Sequence, residues 1–131
     1  MMMKKKRILI ADDDPDLVRL VSLELRDCGY EVFTANSGDD AVSKVYDKHP
    51  DLVILDYEMP KGDGIYVMTK LRTVLETFTI PVIMLTAYDS KDIRGQAFRL
   101  SASYFLSKPF KPSDLLQKIK EVLKPTHDIS A

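Results

Sequence analysis

The feature that most constrains this chain is an alternation repeated five times, in which a short apolar or β-rich run is followed by a stretch with helical spacing. The runs are "RILIA" (7–11), "EVFTA" (31–35), "LVILD" (52–56), "PVIMLT" (81–86) and "YFLS" (104–107). Each has the length and residue types of a strand. After the first, Val18, Val21, Leu25 and Cys28 step by 3, 4 and 3, as do Met68, Leu71, Leu75 and Phe78 after the third. Ala41, Val42 and Val45, then Ile93, Ala97 and Leu100, then Leu115, Ile119 and Val122 supply the other apolar helix faces. Gly29 is placed to end the first helix, Ser37 to start the second and "KPS" at 111–113 to open the last.

Strands that alternate with helices pair in parallel, because each crossover helix lies over a sheet face. The first, third and fourth runs are almost wholly apolar, as strands buried on both faces must be. The second carries Glu31 and Thr34 and the fifth carries Tyr104 and Ser107, so these two are expected at the edges. Edges at strands two and five match the order 2-1-3-4-5 of a flavodoxin-like, doubly wound (βα)5 sheet. The chain's 131 residues suit one such core, expected over residues 7–123, with tails at 1–6 and 124–131, the second a free end or the stub of a linker.

Charge and cysteine content narrow the function. Nineteen Lys and Arg against twenty Asp and Glu leave a net charge of −1, so no overall field draws the chain to nucleic acid or an anionic membrane. Cys28 is the single cysteine, which excludes an internal disulfide and a cysteine metal cluster; we expect it small and buried at a helix end. "ILIA" after the basic N-terminus is too short for a signal peptide or a membrane span, and a cytoplasmic location is expected.

Ligands of such sheets bind beyond the carboxyl ends of the strands, near the switch point between strands one and three. There the first strand delivers Asp12 and Asp13, the third Asp56 and the fourth Thr86, and the fifth is followed by Lys108 and Pro109. Neighbouring strands lie about 4.8 Å apart, so Asp56 can face the first strand's aspartates. Carboxylates that close repel, and either a raised pKa or a hard cation with oxygen ligands, such as Mg2+, relieves them. An aspartate beside a cation, an ammonium and a hydroxyl suits phosphoryl transfer to its carboxylate. Asp14, directly before Pro15, reads instead as a helix N-cap, with Asp16 in the first turn.

"ILIADDDP", "DLVILDYEMPKGDG", "PVIMLTA" and "YFLSKPF" resemble, in order and spacing, the motifs of the response-regulator receiver domain of two-component signalling. The resemblance implies that Asp56 is the phosphoacceptor and a metal ligand, that Asp13 binds Mg2+ directly and Asp12 through water, and that the backbone carbonyl of Glu58 completes the metal site. Thr86 matches the switch hydroxyl, Ala87 the neighbour whose N–H donates to the phosphoryl group, and Lys108 the lysine that pairs with its oxygens. Lys108 to Pro109 is expected to be cis, and Phe105 falls at the aromatic switch position. The partners implied are a sensor histidine kinase or histidine phosphotransfer protein, and downstream a protein partner or an output domain outside this chain. The signal is expected to leave through the face of the fourth helix, fifth strand and fifth helix. A signalling switch is implied rather than an enzyme, with room for self-catalysed gain and loss of phosphate.

Three departures stand out: Ser101 where the family most often has glycine, Ser103 and Tyr104 in place of a frequent acidic pair, and Gly62 where an apolar residue is commoner. A competing reading is a haloacid-dehalogenase-like phosphatase using Asp12, since Asp12 and Asp14 form Asp-x-Asp after the first strand. It lacks a good second acidic pair and leaves Asp56 and "KPF" unexplained.

Overall fold

The computed structural model describes residues 4–124; residues 1–3 and 125–131, which hold most of the two expected tails, lie outside the described residues. The elements run β1 (Arg7–Ala11), α1 (Pro15–Asp27), β2 (Glu31–Ala35), α2 (Gly38–Lys48), β3 (Leu52–Asp56), α3 (Gly64–Arg72), β4 (Val82–Thr86), α4 (Lys91–Arg99), β5 (Tyr104–Ser107) and α5 (Pro112–Val122). All pairings are parallel and the order is β2-β1-β3-β4-β5, so the two mixed-polarity strands are indeed the edges.

Strand periodicity splits the core into two layers. Leu9, Ala11, Val53, Leu55, Val82 and Met84 face α2, α3 and α4, while Ile8, Ile10, Ile54, Ile83 and Leu85 face α1 and α5. The chain steps one way along the sheet from β1 to β2 and the other way thereafter. Right-handed crossovers therefore place α1 opposite α2, α3 and α4. Residues 52–56 and 82–86 are buried at every position, which explains why those runs lack alternation.

The caps follow local chemistry. The Asp14 carboxylate accepts from the N–H groups of Asp16 and Leu17, with Pro15 at the first helical position. Ser37 caps α2 by accepting from Asp40 N–H. α1 ends in a Schellman turn, where Tyr30 N–H reaches Leu25 O and Gly29 N–H reaches Arg26 O, with Gly29 at φ 93°.

Two expectations about side chains fail. Cys28 is exposed, because it is the C-cap of α1 and the turn at Gly29 rotates it off the apolar face. α3 stops at Arg72, which leaves Leu75 (86% exposed) and Phe78 (50%) outside the core. The helix end is captured by side chains: Thr77 Oγ1 donates to Leu71 O at 2.7 Å, and Arg72 donates to Leu100, Phe78 and Ile80 carbonyls at 2.8–3.0 Å. Those bonds tie α3 to the end of α4 and turn the chain into β4, overriding the helical spacing. Ser101 takes φ 63°, a left-handed backbone that glycine would adopt without steric cost.

Candidate functional site

The register Ala11↔Leu55 and Asp56↔Leu85, continued by one residue, sets Asp12 beside Asp56 at the carboxyl end of the sheet. The bonds Asp12 N–H to Ala35 O and Tyr57 N–H to Leu85 O prolong the ladders past the last strand residues and hold both backbones in line. Asp12 is 1% exposed and Asp56 4%, while Asp13 is exposed at the rim. Carboxylate oxygens of Asp12, Asp13 and Asp56 lie within 4.8 Å of one another. Gly64 opens α3 directly behind this end of the sheet, where a Cβ would stand 2.9 Å from the Asp56 carbonyl oxygen and 2.8 Å from Met84 Sδ.

Lys108 reaches across two strand spacings to Asp56 and three to Asp12. Its N–H donates to Thr86 O at 2.7 Å, adding a rung beyond β5, and the Lys108–Pro109 peptide is cis as expected. Its ammonium donates to Asp12 Oδ2 at 2.8 Å and sits 3.2 Å from Asp56 Oδ1. Asp12 Oδ1 also accepts from Asp14 N–H at 3.0 Å. One cation among three carboxylates leaves excess negative charge. Burial, then the charge of Asp12, pushes the Asp56 carboxyl up to about 6, against the opposing pull of Lys108. Burial alone would lower the Lys108 ammonium, but the hydrogen bond to Asp12 and the charge of Asp56 outweigh it and raise its pKa.

The remaining expected residues are placed around this centre without touching it in the same way. Thr86 is fully buried, and its hydroxyl accepts from Tyr88 N–H at 2.8 Å with Tyr88 O at 3.3 Å, so it bonds its own loop rather than Asp56. Ala87 and Glu58 are exposed beside the strand ends. Phe105 is half-buried against the α2–α3–α4 layer, with the Arg94 guanidinium 4.4 Å from its ring centroid. Sequence reasoning missed Asp89, which pairs with Arg94 and accepts from the Ser107 hydroxyl at 2.8 Å. An acidic residue directly before the N-cap Ser90, with a cation five residues on, was its only trace.

The chain's sequence and its fold both match known proteins. The family model described as the response regulator receiver domain matches residues 8–120. The alkaline phosphatase synthesis transcriptional regulatory protein PhoP of Bacillus subtilis is 36% identical over 119 residues, 91% of this chain and 49% of that protein. The phosphate regulon transcriptional regulatory protein PhoB of Pseudomonas aeruginosa is 35% identical, over 92% of this chain and 53% of its own length. The chain thus spans about half the length of the curated relatives it matches. Among solved structures, chemotaxis protein CheY4 of Vibrio cholerae superposes with a TM-score of 0.86 at 32% identity, covering 92% of this chain and 100% of that one. The BeF3-activated N-terminal receiver domain of Klebsiella pneumoniae RstA gives 0.83 at 28% identity, with the same coverage. No helix among the described residues is long and apolar enough to cross a membrane.

Proposed function

The chain belongs to the response regulator receiver family of two-component signalling, and from that membership we propose that Asp56 accepts a phosphoryl group from the phosphohistidine of a sensor histidine kinase or histidine phosphotransfer protein. The observation that carries this reading is the placing of a buried Asp56 carboxylate beside the Lys108 ammonium, at 3.2 Å, and within reach of two further carboxylates. A carboxylate oxygen of Asp56 attacks phosphorus in line; the O–P bond forms as the N–P bond of the donor breaks, and the histidine leaves as imidazole. Lys108 lies where it can pair with the transferred oxygens, and the Thr86 hydroxyl at the end of β4 and the Ala87 N–H just past it are the next donors. Thr86 must give up Tyr88 N–H to serve there.

An all-oxygen set of three carboxylates, one of them exposed to water, suits Mg2+, which keeps several waters and takes few protein ligands. Asp13 and Asp56 would hold it directly, Asp12 through water, and Glu58 through its backbone carbonyl. Bound there, the metal would neutralise charge on the phosphoryl oxygens. The domain is a signalling module rather than a conventional enzyme, and we assign self-catalysed phosphate gain and loss to these same groups. The haloacid-dehalogenase alternative is not supported: the family match points elsewhere, and both oxygens of Asp12 are engaged, by Lys108 and by Asp14 N–H. We further assign output to the α4–β5–α5 face, acting on a protein partner or on an output domain outside this chain.

Mass spectrometry after treatment with acetyl phosphate and Mg2+ tests the assignment. The wild-type chain should gain about 80 Da, one phosphoryl group, and Asp56→Asn should gain nothing. A wild type that stays unmodified, or an Asp56→Asn chain that is still labelled, defeats it.

A further inference from the structure

The loop between β4 and α4 is fastened by a cluster that phosphate chemistry at Asp56 does not itself require. Asp89 receives two hydrogen bonds from Arg94, one from Nε and one from Nη2 at 2.9 Å, and a third from the Ser107 hydroxyl at 2.8 Å. These bonds hold its carboxyl down at about 2. Three elements are joined at one carboxylate: the loop, the first turn of α4, and the last residue of β5. Ser107 directly precedes Lys108, and the Arg94 guanidinium lies over the Phe105 ring. Asp89 is therefore linked through Arg94 to the ring at the expected aromatic switch position, and through Ser107 to the residue next to Lys108.

The loop's conformation is set at its other end by Thr86, whose hydroxyl accepts from Tyr88 N–H. Only Ala87 and Tyr88 separate Thr86 from Asp89. Thr86 and Asp89 thus anchor the two ends of one four-residue segment, and a clasp that fixes Asp89 on β5 and α4 also favours the loop path in which Tyr88 N–H meets the Thr86 hydroxyl. Planar, bidentate Arg–carboxylate geometry resists sliding of that clasp, and the cation over Phe105 adds a further contact.

We infer that Asp89 is a positioning residue that restrains phosphorylation: through Arg94 and Ser107 it holds the β4–α4 loop and Phe105 in the arrangement where Thr86 is turned away from Asp56. This rests on the reading of Asp56 as phosphoacceptor. The restraint is a bias between two arrangements, and it is built from half-exposed groups, so opening it changes the equilibrium modestly.

The test compares the full chain with Asp89→Ala, Arg94→Ala, the double variant and Ser107→Ala, following phosphorylation by acetyl phosphate and Mg2+ and the affinity for beryllofluoride. Asp89→Ala and Arg94→Ala should each raise the phosphorylation rate and the beryllofluoride affinity by about three- to tenfold, with little change in melting temperature, as suits a surface pair. The double variant should gain clearly less than the product of the two single gains, because both break the same clasp. Ser107→Ala should show a smaller gain. The two single variants change net charge in opposite directions, so gains in both separate release of a clasp from altered attraction of an anionic donor. Wild-type rates in Asp89→Ala and Arg94→Ala, or a gain in one with a loss in the other, overturn the inference. A variant that fails to fold passes the decision to Ser107→Ala and Arg94→Lys, which keeps the charge but not the bidentate fork and should also gain. A wild-type chain that takes no phosphate instead defeats the underlying assignment of Asp56.

Discussion

Asp56→Asn should make the metal-free domain more stable at neutral pH, although it removes the group on which the proposed chemistry depends. Asp56 is 4% exposed and its carboxyl is raised from 3.8 to about 6, by burial first and by the charge of Asp12 next. Between those two pH values the folded state holds more protons than the unfolded chain. Stability therefore falls as pH rises from about 4 to about 6, and the full penalty stands above that window. A shift of about two units corresponds to roughly 3 kcal/mol. Asparagine resembles the protonated carboxyl at every pH and still offers Lys108 an acceptor oxygen. The variant should accordingly gain up to roughly 3 kcal/mol over wild type at pH 8 in urea unfolding with chelator present, or about 10 °C in Tm. The gain should shrink toward zero by pH 4. Saturating Mg2+ should raise the wild type more than the variant and narrow the gap, since the ion binds only the folded cluster. Equal stabilities at pH 8, or a gap that does not depend on pH, would refute the claim that carboxylate crowding at this site costs folding energy.

Three further outcomes follow from single contacts. Lys108→Ala removes the cation that pairs with Asp56, so the Asp56 carboxyl should titrate above about 6; carboxyl NMR titration showing an unchanged or lower value would count against the pairing. Asp14→Ala should lose about 1 kcal/mol of stability through the α1 cap while leaving Mg2+ affinity near wild type by calorimetry, and a large loss of affinity would mean that Asp14 belongs to the metal site. Thr77→Val strands the Leu71 carbonyl at the end of α3, since Thr77 is 2% exposed and donates there at 2.7 Å. Urea unfolding should show a cost of about 1–3 kcal/mol, and a neutral result would place water or another donor at that carbonyl.

Much of this molecule is written in local pattern. Strand positions, the two edge strands and the caps at Asp14 and Ser37 can be read from residues a few places apart, because burial on a sheet face and the hydrogen-bonding needs of a helix end are local demands. The same patterns also bring Asp12, Asp56, Thr86 and Lys108 to one end of the sheet, since every parallel strand points the same way. Local pattern stops short where side chains compete for partners. Helical spacing carried Leu75 and Phe78 into a helix that Thr77 and Arg72 end early, and it buried Cys28 on a face from which the Gly29 turn removes it.

Distances and preferences inside the site belong to the tertiary structure alone. Lys108 and Asp12 are 96 residues apart in the chain, and the 2.8 Å bond between them depends on the register of four strands and the geometry of one turn. The raised Asp56 carboxyl depends on burial that no strand sees by itself. The Thr86 hydroxyl's choice of Tyr88 and the joining of Asp89 to Arg94 and Ser107 depend on loop paths set by packing. The amino-acid sequence by itself determined which groups meet at the carboxyl end of the sheet, through periodicity and strand direction. Only the folded chain decided how closely they approach, which of them are buried, and which partner each one holds, because those follow from contacts between residues far apart in the sequence.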